Sequence, residues 1–233
     1  MRVANQIARV IDHALLHPAL QPYDFEAGLE LASSLNVWAV CVKPCDVKRA
    51  VARLRDTSTT VCSVIAFPHG NSVTEVKVHE AERALIDGAT EVDFVVNVSR
   101  ALAGDTGQVQ MEMAAMHDVA RKYRATLKVI FENAYLDDKT KVQLCRIAKE
   151  LTVAYVKTST GYASGIDPQS STGASIHDVE LMVRECAPVC QVKASGGIRS
   201  LEKLEQYLDA GATRIGTSST REIIEQARQR TRR

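Results

Sequence analysis

Eight short apolar runs, set apart by longer stretches of helical periodicity, constrain how this chain can fold more than any other feature. They cover residues 10–12, 37–42, 61–67, 91–98, 126–132, 154–158, 191–195 and 212–217. In the intervals apolar residues recur at helical spacing: Leu144, Ala148 and Leu151 share one face, as do Leu201, Leu204 and Leu208. Strands this apolar, joined by crossovers long enough for a helix, indicate a parallel sheet with helices over its outer face. Eight of them in 233 residues fit a (β/α)8 TIM barrel, one domain over residues 1–233, better than an open doubly wound sheet. An open sheet needs only about five or six strands and would carry a glycine-rich nucleotide loop after the first; neither GxGxxG nor GxxxxGKS/T occurs. A weak internal repeat agrees. Asp87-Gly88-Ala89-Thr90 before Glu91-Val92 returns in outline as Asp209-Ala210-Gly211-Ala212-Thr213 before Arg214-Ile215, with a glycine placed to close a helix and a strand following at once.

Composition narrows the function classes. The formal net charge of +1 gives no electrostatic reason to expect a nucleic acid or an anionic membrane as partner. No run approaches the roughly 18 apolar residues of a membrane span. The first residues (Arg2, Asn5, Gln6, Arg9) alternate polar groups where a signal peptide would be apolar, so a cytoplasmic location is expected. The scattered cysteines, several within apolar runs (Cys41, Cys62), then read as reduced thiols. Neither Cys41/Cys45 nor Cys186/Cys190 joins a second ligand pair at zinc spacing, and no metal site or cofactor is expected. The basic tail, Arg228, Arg230, Arg232 and Arg233, reads as a frayed, solvated terminus.

In a barrel of this kind, catalytic side chains project from the C-terminal ends of strands. Charged residues inside apolar runs are therefore informative, because burial is costly without a purpose. Asp12, Asp93, Lys157 and Lys193 stand out, and the two lysines have matching contexts, Val156-Lys157-Thr158-Ser159 and Val192-Lys193-Ala194-Ser195. Alternation predicts that Asp93 shares a face with Val95 and Asn97, Lys157 with Ser159, and Lys193 with Ser195. A lone lysine with the reference pKa of about 10.4 is protonated at neutral pH and a poor nucleophile. A second ammonium close by, with partial desolvation, favours the free amine. That amine can form an iminium ion, an electron sink for carbon–carbon cleavage, while an aspartate shuttles protons.

Two small-residue turns lie near the C-terminus. Ser195-Gly196-Gly197-Ile198 follows the seventh run and Gly216-Thr217-Ser218-Ser219 the eighth. The loops after strands seven and eight of a barrel form a recurrent phosphate site, so Gly196, Gly197, Ser218 and Ser219 are candidate phosphate ligands. His13 and His17 have the i, i+4 spacing of a helical metal pair, but Pro18 follows and no third ligand is evident, so they read as ordinary histidines. His69 reads as ordering a turn and Trp38 as a core residue.

These motifs, together with Phe67-Pro68-His69-Gly70-Asn71, Leu127-Lys128-Val129-Ile130 and Thr158-Ser159-Thr160-Gly161, resemble the deoxyribose-phosphate aldolase family over nearly the whole chain. The two lysine motifs are the specific ones. The resemblance implies that Lys157 is the Schiff-base lysine, that Asp93 and Lys193 relay protons and tune it, and that Asp12 supports them. It implies further that Gly161, Gly196, Gly197, Ser218 and Ser219 hold a 5-phosphate. The implied reaction is reversible cleavage of 2-deoxy-D-ribose 5-phosphate to D-glyceraldehyde 3-phosphate and acetaldehyde, without metal or cofactor, in a homodimer. The chain departs from the family pattern at Tyr162, Ala14 and His17, and in a longer loop over residues 163–175 that includes Pro168. The departures leave two alternatives, a Schiff-base aldolase for another aldehyde and a catalytically silent scaffold.

Overall fold

A computed structural model describes residues 2–165 and 172–231, and of residue 231 only the backbone. Its strands are β1 (Ile11–Leu15), β2 (Ala39–Val42), β3 (Thr60–Ile65), β4 (Glu91–Val95), β5 (Thr126–Ile130), β6 (Tyr155–Lys157), β7 (Gln191–Ser195) and β8 (Arg214–Thr217). Each pairs in parallel with the next and β8 closes on β1, so the sheet is a barrel without edges. A short helix α1 (Ala4–Ala8) precedes β1. The crossovers carry α2 (Pro22–Ser34), α3 (Val47–Leu54), α4 (Thr74–Ile86), α5 (Val98–Leu102), α6 (Thr106–Lys122), α7 (Asp138–Glu150), α8 (Ile176–Cys186) and α9 (Leu201–Asp209), and α10 (Thr220–Thr231) follows β8.

All eight expected strands are present. The first is displaced: it runs to Leu15, paired with Val42 of β2, with His13 facing outward and buried against Thr220 of α10 while Asp12 points to the axis. The fourth ends at Val95, since Asn97 caps α5 by accepting the Arg100 N–H at 3.2 Å. Asn97 is therefore not a cavity residue in line with Asp93.

The apolar core is an annulus between sheet and helices. Val40, Val92, Phe94, Val129, Val192 and Ile215 face outward from the strands and meet Leu29, Met113, Leu144, Ala148 and Leu204 from the helices. Gly88 and Gly211 do what the repeat suggests, at φ of 104° and 101°. Each sits in a turn where the following alanine N–H reaches back to the last helical turn, Ala89 to Ala84 and Ala212 to Tyr207. The tail is less frayed than expected, because Arg230 grips Glu205 at 2.6 Å and the Arg2 carbonyl at 2.9 Å. Arg232 and Arg233 lie outside the described residues. Among the described residues no helix is long and apolar enough to cross a membrane.

Candidate active site

Inside the barrel, alternation turns every second side chain to the axis, and there the residues are charged. Asp12, Glu91, Asp93, Lys128, Lys157, Lys193 and Arg214 are all buried and form one network. Register sets the pairs, with Asp93 opposite Lys128 and Lys157 opposite Lys193. Asp93 is the hub. Its Oδ2 accepts from Lys157 Nζ at 2.8 Å and from Lys193 Nζ at 2.7 Å, and its Oδ1 accepts from Lys128 Nζ at 2.7 Å and Cys62 Sγ at 3.1 Å. Lys193 also donates to Asp12, whose second oxygen accepts from Arg214 Nη1 at 2.8 Å. Glu91 holds Lys128 at 2.5 Å and Arg214 at 3.3 Å. Trp38 is not a core residue. It is 36% exposed, donates to Glu91 at 2.9 Å and lies 4.4 Å from the Arg214 guanidinium, beneath the network.

Four cations (Lys128, Lys157, Lys193, Arg214) thus face three carboxylates (Asp12, Glu91, Asp93). At Asp12, Asp93, Lys128, Lys193 and Arg214 burial opposes the charge, but the crossed attractions win. Lys193, Lys128 and Arg214 bring Asp12 down to about 2, and the three lysines hold Asp93 well below the usual carboxylate range. Burial likewise disfavours the Lys193 and Lys128 ammonium groups, yet their carboxylates keep both above the ordinary lysine value. Lys157 differs in position. Lys128 and Lys193 have no exposed surface, whereas Lys157 keeps 3% and has one hydrogen-bond partner, Asp93, among the described residues.

Lys157 and Lys193 look into a cavity of about 320 Å³ with Asp12 and Cys41 at its floor. Asp93 lies below, in contact with both lysines. Gly161, Gly196, Gly197 and Ser218 form part of the wall, the glycines at φ of 86°, 89° and 73°. Ser219 does not line it, and its N–H turns to Thr217 Oγ1 at 2.9 Å. The long loop after β6 packs tightly on this wall: a Cβ on Gly173 would come within 2.2 Å of the Gly196 carbonyl. Pro168 and the other residues of 166–171 lie outside the described residues.

Sequence reading missed Lys128, Glu91 and Arg214 in the network, and Arg199 and His17 on the cavity wall. It also missed Glu132, a non-glycine residue at φ 59°, whose buried carboxylate accepts the Thr160 N–H at 3.2 Å and its hydroxyl. Thr160 Oγ1 in turn accepts the Tyr162 N–H at 2.9 Å, so Glu132 fixes the bend that places Gly161. His13 and His17 share no helical face, since one is in β1 and the other follows it. Among the described residues two groups could approach a metal ion. Cys41, Cys62 and Asp93 are already hydrogen-bonded to the buried lysines, and Lys141 sits 2.6 Å from Asp178 in the group Asp138, His177 and Asp178.

The sequence profile of the DeoC/LacD family aldolases matches residues 7–226. A deoxyribose-phosphate aldolase of Rhodopirellula baltica is 41% identical over 224 residues, 96% of this chain and 90% of the relative. One of Thermococcus kodakarensis is 42% identical over 225 residues, 96% of this chain and 97% of the relative. The structure of a tetrameric deoxyribose phosphate aldolase from Aeropyrum pernix superposes with a TM-score of 0.87 at 31% identity, covering 97% of this chain and 92% of that one.

Proposed function

The chain belongs to the DeoC/LacD aldolase family, and on that premise we propose that it is the class I aldolase that cleaves 2-deoxy-D-ribose 5-phosphate reversibly to D-glyceraldehyde 3-phosphate and acetaldehyde. The observation that carries this reading is the pair of lysines on one carboxylate oxygen at the cavity, with Lys157 the member that keeps exposed surface.

Lys157 is the nucleophile. The free amine attacks the substrate aldehyde carbon to give a carbinolamine, and Asp93 and Lys193 pass the protons that let water leave. In the resulting iminium ion the C2–C3 bond breaks. The 3-hydroxyl loses its proton and becomes the aldehyde of glyceraldehyde 3-phosphate, and the bonding pair flows to the iminium nitrogen as an enamine. Protonation at carbon and hydrolysis then release acetaldehyde and restore Lys157. Gly161, Gly196, Gly197 and Ser218 hold the 5-phosphate through backbone N–H and hydroxyl groups, and Ser219, turned to Thr217, is not among them. Asp12 keeps Lys193 charged.

Borohydride added with acetaldehyde should leave an ethyl group on Lys157, and a label on Lys193 would reverse the two roles. Acetaldehyde release from deoxyribose 5-phosphate should survive EDTA, and zinc-dependent loss would sink a metal-free mechanism. The enzyme acts in the cytoplasm, in deoxyribonucleotide catabolism, on a small phosphorylated sugar. It works as a homodimer, which sedimentation would distinguish from a tetramer like that of the Aeropyrum relative.

A further inference from the structure

We propose that the catalytic cavity has an apolar side subsite that takes the alkyl tail of longer aliphatic aldehydes, an inference that rests on the aldolase reading above. A second cavity, of about 210 Å³, adjoins the first and shares Leu16 and Tyr162 with it as walls. Its remaining sides are Pro18, Pro44, Val64, Phe67 and Pro68, which offer no side-chain hydrogen bond. Two charged residues stand at its rim, and each is already engaged. Lys43 Nζ lies 3.3 Å from Asp46, and Glu80 accepts the Ala66 N–H at 2.6 Å. What faces the space is therefore hydrocarbon.

The edge that the two cavities share is built. Tyr162 stands edge-on to Phe67 with ring centroids 5.5 Å apart, and its backbone is tied through Thr160 to Glu132. The wall thus comes from the bend that carries Gly161, on the β6 side of the mouth, and meets the loop after β3. Of the residues assigned to phosphate, Gly196, Gly197 and Ser218 lie at β7 and β8, and Gly161 precedes Tyr162 on the bend itself. A sugar phosphate anchored there has nothing polar to meet beyond Tyr162, whereas an alkyl chain starting from an imine on Lys157 gains by entering. Each methylene buried is worth roughly fourfold in affinity.

The test is borohydride trapping on Lys157 across acetaldehyde, propanal, butanal and hexanal, read by mass spectrometry. Each aldehyde condenses with the amine, releases water, and is reduced to a secondary amine. The apparent dissociation constant should fall by roughly fourfold per added methylene until the side cavity is full. Pro18→Trp, a change at an exposed rim residue outside the catalytic cavity, should erase the hexanal gain and leave acetaldehyde trapping as it was. Tyr162→Ala should extend the gain to longer chains. A flat chain-length series, or a gain that survives Pro18→Trp, overturns the subsite. Failure to trap acetaldehyde on the unaltered enzyme would instead overturn the aldolase reading.

Discussion

Lys77 on α4 and Lys128 on β5 are both sealed from solvent, yet their surroundings treat the charge in opposite ways. Lys77 donates to the Gly70 carbonyl at 2.7 Å, the Val95 carbonyl at 2.8 Å and Glu112 at 2.6 Å, so its three protons are matched. The other Glu112 oxygen accepts the Asn97 N–H at 2.9 Å, and the set staples the loops after β3 and β4 together. Here burial wins. It draws the Lys77 ammonium below the ordinary lysine value and pushes the Glu112 carboxyl above its own, against their mutual attraction. At Lys128 and Asp93 burial acts the same way but is outweighed, because each of the two meets several opposite charges. An isolated buried pair sits near break-even and serves geometry. The crossed network holds fixed charges around Asp93, beside Lys157.

The largest effect expected from this contrast is at Lys193. Lys193→Leu keeps the bulk but removes the charge held beside Asp93, leaving that carboxylate to Lys157 and Lys128 alone. Activity at neutral pH should fall by up to about 10⁴-fold, and the acid limb of the rate profile should move to higher pH. Asp93→Asn should lose rate with no comparable rescue at high pH. A near-normal Lys193→Leu enzyme would show that the network is structural only. Lys77→Met should do the reverse: about 3 kcal/mol lost in urea unfolding, with acetaldehyde trapping on Lys157 retained. Because Glu112 would otherwise be left buried and unpaired, adding Glu112→Leu should cost less than the two single changes together. Loss of trapping in a stably folded Lys77→Met protein would mean that the two clusters are not separable.

The same contrast explains what could be read from the chain. Lys157 and Lys193 were legible because each interrupts an apolar run in the same local context. Lys128 interrupts one too, in Leu127-Lys128-Val129-Ile130, and the same criterion applied evenly would have found it. Glu91 and Arg214 open their strands, where a charge reads as a solvated end; only barrel closure and register bring them inward. Lys77 and Glu112 lie in helices, where charges at helical spacing normally face water, and their meeting depends on how α4 packs on α6. The fold was legible for a simpler reason: eight runs and their crossovers repeat one local pattern, and closure adds only that β8 meets β1.

A smaller effect, in the pH dependence of stability, discriminates between the clusters by sign. His13 lies in neither; burial against α10 lowers its pKa to about 4 from an ordinary 6.5. The unfolded chain then binds the proton first, so the His13 contribution is complete above pH 6.5 and is lost as pH falls toward 4. Between pH 7 and pH 5 the loss is about 2 kcal/mol. Glu112 works the other way, since a carboxyl held above its ordinary value takes up a proton more readily when folded and gains stability as pH falls. Asp12, held at about 2, keeps its contribution until pH falls below its ordinary 3.8. His13→Gln should flatten the unfolding free energy between pH 7 and pH 5. An unchanged slope would remove His13 as its source.

The smallest effect sets a baseline free of charge, at the turn that closes α7. Thr152 has φ 55°, its N–H reaches Lys149, and the Val153 N–H reaches Ala148, which is the turn that Gly88 and Gly211 make after α4 and α9. A β-branched residue in the left-handed region carries a steric cost of about 1–2 kcal/mol that glycine escapes. Against that, glycine frees the unfolded chain and returns about 0.5–1 kcal/mol. Thr152 is exposed, so little packing is lost with its side chain. Thr152→Gly should therefore stabilise the protein by somewhat under 1 kcal/mol, or about 2 °C in Tm for a chain of this length. Gly88→Ala should go the other way, because at φ 104° the added Cβ would also come within 2.9 Å of Val51. If both substitutions were destabilising, the cost at Thr152 would have to lie in something other than its backbone conformation, and the turn's strain would not be the quantity that separates a threonine from a glycine there.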